Sequence, residues 1–179
     1  YKRYPSHDDW SHADMVREGD HLIAFIPQQP AAGKVLYQIT LKKGESQTTL
    51  SEEPIVIRFR NDVPAWALIP HIIFMFLAML FSARAGLSAL FAGRTFRLTL
   101  ITFISLVVGG LIFGPIVQKF AFGAYWTGWP LGTDLTDNKT AIAFLLWLVA
   151  MIQTWRDPYH RIWVIIASLG LLILFLIPH

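Results

Sequence analysis

The tripeptide Ile-Pro-His occurs twice, at Ile69-Pro70-His71 and Ile177-Pro178-His179, each time at one end of a long apolar run. Imidazole ligates both haem iron and copper. Two histidines at similar depth on different helices could therefore hold a haem or a copper ion. Asp134 or Asp137 could then supply a third ligand or a hydrogen bond that orients the imidazole. The plainer reading is that each histidine bonds water or a backbone carbonyl at a helix end. Both aspartates lie in residues 120–140, FAFGAYWTGWPLGTDLTDNKT, together with Tyr125, Trp126 and Trp129. These rings could cover a pocket, stack on a ligand or meet a partner, although rings also gather wherever a chain crosses a membrane surface. Thr136 or Asp137 can cap a helix that starts near Thr140. As a metal loop the stretch is poor, because DLTDN lacks the Gly and the closing Glu of an EF-hand.

Two further groups have ligating chemistry. His7-Asp8-Asp9 and His12-x-Asp14 could collect zinc or copper, but a short polar segment of this kind is most simply a solvated terminus. His160, between Arg156 and Arg161 in RDPYHR, belongs to a basic, ring-flanked loop suited to anionic lipid headgroups. No phosphate-binding glycine loop, HExxH or GxSxG occurs, and no spacing ties Ser, His and Asp into a triad. Cysteine is absent, which removes thiolate ligands, thiol nucleophiles and disulfides. The net charge of +3 is small and scattered, so no nucleic-acid partner is expected.

Only 15% of residues are charged and 54% are hydrophobic, against about 25% charged in soluble domains. The deficit falls after residue 62, which divides the chain into a water-facing module, 1–62, and a membrane domain, 63–179. In the module, 1–20 reads as an irregular arm. His21–Ile26, Lys34–Lys42 and Pro54–Arg60 read as strands from their apolar runs or period of two. They predict a small β-sheet or sandwich-like module, too short for a complete sandwich of about a hundred residues.

The apolar runs predict four transmembrane helices at about 64–83, 98–118, 141–155 and 162–177, since a span needs roughly 20 apolar residues. Pro70 predicts a kink, or a helix start delayed to His71. Gly110 and Gly114 form a GxxxG pair that lets another helix approach closely. A connection of about twenty residues, 119–140, joins the second and third spans and is long for a plain turn. Arg84, Arg94 and Arg97 lie in one short loop and Arg156 and Arg161 in another, against Lys119 and Lys139 in the third. The positive-inside rule then places the module, the 119–140 loop and the C-terminus outside the cytoplasm, on the periplasmic side in a bacterium. A signal peptide or an anchor segment ahead of Tyr1 would fit this orientation.

The spans carry no acidic or basic residue in their apolar cores, which argues against a pump or channel. The leading expectation is a non-catalytic membrane subunit or scaffold of a larger complex, in contact with lipid. It would dock other subunits through the β module, the Tyr125/Trp126/Trp129 rings and the Gly110/Gly114 face. The alternatives are a haem- or copper-binding membrane protein using His71 and His179, and an interfacial enzyme acting on a lipid-linked substrate near Asp134 and Asp137.

Overall fold

The computed structural model describes residues 1–44, 46–91 and 93–178. Its contacts form two units, Tyr1–Asp62 with Ala121–Gly123, and Val63–Phe120 with Ala124–His179.

The first unit contains short strands only: β1 (Lys2–Tyr4), β2 (Val16–Glu18), β3 (His21–Ile23), β4 (Lys34–Tyr37), β5 (Thr40–Lys43), β6 (Ser46–Thr49) and β7 (Ile55–Arg58). They make an antiparallel sheet in the order β1-β4-β7 and two separate hairpins, β2–β3 and β5–β6. The β2–β3 hairpin turns at Gly19-Asp20, where the φ of +60° at Gly19 requires a residue without a Cβ. The segment 1–20, expected as an irregular arm, carries two strands, Lys2–Tyr4 and Val16–Glu18, with no regular structure over 5–15. Its strands are three residues long and pair with distant or turn-related partners, so no local period announces them. The run expected as one strand, 34–42, is also divided, with β4 entering the sheet and β5 entering a hairpin. Among the described residues of 1–62 only Val35 is buried. Near it Arg3 Nε donates to Asp8 at 2.8 Å. That bond, followed by one from the Ser6 hydroxyl, holds the exposed Asp8 carboxyl below its ordinary range.

Helices make up the second unit. Helix α1 is Ala65–Leu90, α2 is Phe96–Leu106, α4 is Leu135–Arg156 and α5 is Arg161–Leu176. Between α2 and α3 (Gly114–Phe122) the backbone winds as a π-helix over Val107–Phe113, so Phe96–Phe122 runs without a break. Pro115 explains the widening, because in an α-helix its ring would press on the Leu111 carbonyl and its missing N–H would leave that carbonyl unpaired. The adjacent Gly109-Gly110 lets the backbone adapt. Three helices, Ala65–Leu90, Phe96–Phe122 and Leu135–Arg156, are long and apolar enough to cross a membrane. The fourth is apolar but has 16 residues, about 24 Å of helix against a hydrocarbon layer of about 30 Å.

Several helix ends differ from the expected ones. Helix α1 starts at Ala65, close to the expected 64, without the alternative start at His71, and it extends to Leu90 rather than ending near 83. Pro70 is so close to its start that it removes only the bond to Trp66, while Ala67 and Leu68 already bond the Pro64 carbonyl. Helix α4 starts at Leu135 and is capped by Asp134, not by Thr136 or Asp137. The connection before it therefore shrinks to 123–134.

Small residues let these helices approach. Ala78, Ala85 and Ala89 of α1, Ala143 and Ala150 of α4 and Ala167 of α5 are buried around Trp147 and Leu106. Between apolar helices in lipid, association rests on close packing rather than on expulsion of water, and alanine rows provide it. Thr99, Thr102 and Ser105 continue the row along α2, with the Thr102 hydroxyl donating to the Leu98 carbonyl.

Candidate functional site

Gly123, with φ of +82°, ends α3 in the left-handed conformation. The loop that follows is tied together by one carboxylate. Asp137 is 6% exposed. Its Oδ2 accepts from Thr127 N–H at 2.6 Å, Gly128 N–H at 3.0 Å and Gln118 Nε2 at 3.0 Å, with the Thr127 hydroxyl at 3.3 Å. The lone pairs of that oxygen are fully occupied by these donors. Asp134 is similarly committed, accepting from the Thr136 and Asp137 N–H groups at the start of α4.

The backbone around Asp137 is closed to match. The Gly128 carbonyl accepts from Leu131 and Gly132 N–H at 2.9 and 2.8 Å, and the Thr127 carbonyl from Asp134 N–H at 2.9 Å. Asn138 Oδ1 accepts from Trp129 N–H at 2.7 Å, and Trp126 Nε1 donates to the Trp129 carbonyl at 3.1 Å. A Cβ on Gly128 would stand 2.6 Å from the Asp137 Cβ, so glycine is required for that approach. From this platform Trp129 and Leu131 project at 76% and 78% exposure, and Tyr125 is exposed beside the Lys119 ammonium. Trp126 is half-buried and braces the turn. The three rings are therefore brought together on one fixed loop, and they present apolar surface rather than a reactive group.

His71 stands on α1 beside the π-helical turn. Its Nδ1 is 2.9 Å from the Gly109 carbonyl, which also accepts from Gly114 N–H. A carbonyl only accepts, so Nδ1 is the donor in this bond and the ring is oriented by it. His179 lies outside the described residues. Among the described residues, no three His, Cys, Asp or Glu side chains gather as a metal-binding group. Gly110 and Gly114 do not share a face, because in the π-helical turn Gly114 stacks over Gly109. A Cβ on Gly110 would be 2.9 Å from Thr140 Cγ2 of α4, and one on Gly114 would be 3.8 Å from the His71 ring. The small-residue pair is thus occupied by contacts inside this unit.

Lys139 counts in the sequence only as a loop charge, with no role of its own. It is only 9% exposed, and its Nζ donates to the Ile177 carbonyl at the C-terminal end of α5. A lysine so near the N-terminal end of a helix opposes that helix's own dipole, and this mismatch was the available signal that its charge serves another element. Gln118 and Thr127 were passed over, since only the folded loop points them at Asp137. No family model, curated protein or solved structure matches this chain.

Proposed function

We propose that this chain is a non-catalytic integral membrane subunit that docks a partner through its β-rich first unit. Four spans, with the first unit and the 123–134 loop outside the cytoplasm, make up the topology of this reading. Two features support counting α5 as a span. Lys139 meets its end at Ile177 in the manner of a cation at a helix C-terminus. The arginines also gather at the helix ends that this topology places inside, Arg84, Arg94 and Arg97 around the α1–α2 turn and Arg156 and Arg161 around the α4–α5 turn.

The observation that carries the docking reading is the poverty of the first unit's core. Across Tyr1–Asp62 only Val35 is fully buried among the described residues, while Phe25 is 83%, Val16 65% and Leu50 59% exposed. Small domains of this size need a dense core, disulfides, a metal or a partner, and there is no cysteine. An open sheet edge offers the place for a partner's strand. Phe59 N–H bonds the Gly33 carbonyl, so by the alternation of antiparallel ladders Ile55 and Ile57 face β4. Val56 and Arg58 then turn their N–H and C=O groups to the open side, as strand addition requires. The commitment of Asp134 and Asp137 to backbone bonds favours this reading over an interfacial enzyme.

Val56→Pro tests it. Proline removes an outward N–H and leaves the ladder to β4 intact. The expected result is loss of the co-purifying partner, with expression and helical content unchanged. Equal partner recovery would remove the strand-addition basis of the proposal. One observation favours a second reading, the haem- or copper-binding protein: the His71 ring is oriented by an Nδ1 bond to a backbone carbonyl, as metal-ligating imidazoles commonly are. That reading requires a haem or copper signal that disappears in His71→Ala.

A further inference from the structure

Helices α1 and α5 do not close on each other along their whole length. Where they come nearest, the Ser168 hydroxyl donates to the Ser82 carbonyl at 2.9 Å, and a Cβ on Gly86 would overlap Ser168. Beside this crossing lies a groove of about 460 Å³. Buried Ser82, Gly86 and Leu171 form its floor, and exposed Leu87, Leu90 and Leu172 stand along its rim. Among the described residues the side-chain polar groups lining it are the hydroxyls of Ser82 and Ser168, and the second is already bonded. An occupant therefore needs an apolar body with no hydrogen bonds to satisfy. The volume lies in the range of small-ligand sites, about 300–1,000 Å³. A transmembrane helix about 10 Å across would fill roughly 1,500 Å³ over 20 Å of length, so it would cover the groove rather than enter it. An alkyl chain fits.

Charge identifies the rest of the occupant. The groove reaches Leu90, the last residue of α1, and Ile165, in the first turns of α5. Arg161, the first residue of α5, lies four positions before Ile165 and so continues the same face to the mouth of the groove. It is half-buried, and among the described residues no side chain or carbonyl accepts from its guanidinium. A guanidinium has five donors in a fork that matches phosphate oxygens, and no described protein acceptor competes for them. The helix N-terminus beneath adds a further positive potential.

We propose that the α1–α5 groove is a specific site for an anionic phospholipid, with one acyl chain in the groove and the phosphate on Arg161. The site is independent of the partner-docking reading. Its test is native mass spectrometry of the full chain in detergent, offered palmitoyl-oleoyl phosphatidylglycerol or the phosphatidylcholine with the same tails. The expected result is one retained lipid per chain, with phosphatidylglycerol favoured about fivefold, the factor for one arginine at a membrane surface. Arg161→Gln is expected to bring the ratio close to one while retaining both lipids. Ala83→Trp, which fills the groove from an exposed lining position, is expected to abolish retention of both. Leu87→Trp does so from the rim and serves if the first variant fails to fold. Equal retention of the two lipids by the parent chain would overturn the proposal, as would retention unaffected by both tryptophan variants. So would a dimer of this chain that the tryptophan variants dissociate, which would make the groove a contact between copies.

Discussion

Replacing Asp137 with alanine is expected to lower the stability of the folded chain by about 3–5 kcal/mol, the largest effect of any single polar side chain in the helical unit. The residue is 6% exposed. Its loss leaves the Thr127 and Gly128 N–H groups without their acceptor, while the Gln118 amide keeps the Thr127 hydroxyl at 2.6 Å. Each unsatisfied buried donor costs about 1–3 kcal/mol, and entry of water keeps the sum below the upper limit. Asp137→Asn keeps an acceptor oxygen and gives up only the charge assistance, so its cost is about 1–2 kcal/mol. Asp134→Ala, which removes a helix cap, costs about 1 kcal/mol. Thermal unfolding in detergent gives the order, and amide exchange at Thr127 and Gly128 gives the cause. An Asp137→Ala midpoint no lower than that of Asp134→Ala would mean that the carboxylate does not tie the loop.

Gly109→Val is expected to cost about 3 kcal/mol, at the upper end of what overpacking produces. Even the first carbon of a side chain there would be 2.9 Å from Phe74 Cβ and 3.1 Å from the Met75 nitrogen, both on α1. Backbone cannot step aside as a flexible side-chain tip can, so α1 must move away from the π-helical turn. Movement there also breaks the bond from His71 to the Gly109 carbonyl. The His71 ring proton should then exchange faster in NMR, a change that a loss of stability at a remote site would not produce. Gly114→Ala is the control, because its Cβ would meet nothing closer than 3.5 Å. Equal melting of the two variants would argue that the π-helical turn is not packed on α1 as described.

What was legible in the sequence follows from the range of the forces involved. A membrane imposes about 20 apolar residues in a row, and the long helices stand out for that reason. Their ends do not, because they depend on single bonds. Helix α4 begins at Leu135, ahead of its apolar run, since Asp134 caps it and Asp137 fastens its first turn to Thr127 and Gly128. Strands such as Lys34–Tyr37 and Ile55–Arg58 lie inside runs of period two, whereas Lys2–Tyr4 exists only because β4 is there to receive it. The grouping of Tyr125, Trp126, Trp129, Asp134 and Asp137 was visible as composition. That the aspartates hold the loop while two rings and Leu131 face outward was not, because a spacing does not say whether a carboxylate meets solvent, a metal or an amide. A π-helical turn differs from an α-helical one only in which carbonyl each N–H reaches, and His71 finds its partner there.

The central claim is that the β-rich unit takes its missing core from another protein. Native mass spectrometry of the complex, extracted gently from its own membranes, tests this most directly. The account predicts a species heavier than this 20.3 kDa chain by the mass of at least one different polypeptide, which Val56→Pro removes. A chain that leaves the membrane without any polypeptide partner, while amides of residues 34–37 and 55–58 remain protected from exchange, would contradict it. The first unit would then be stable on its single buried valine. A mass gain equal to haem or copper alone would instead point to His71.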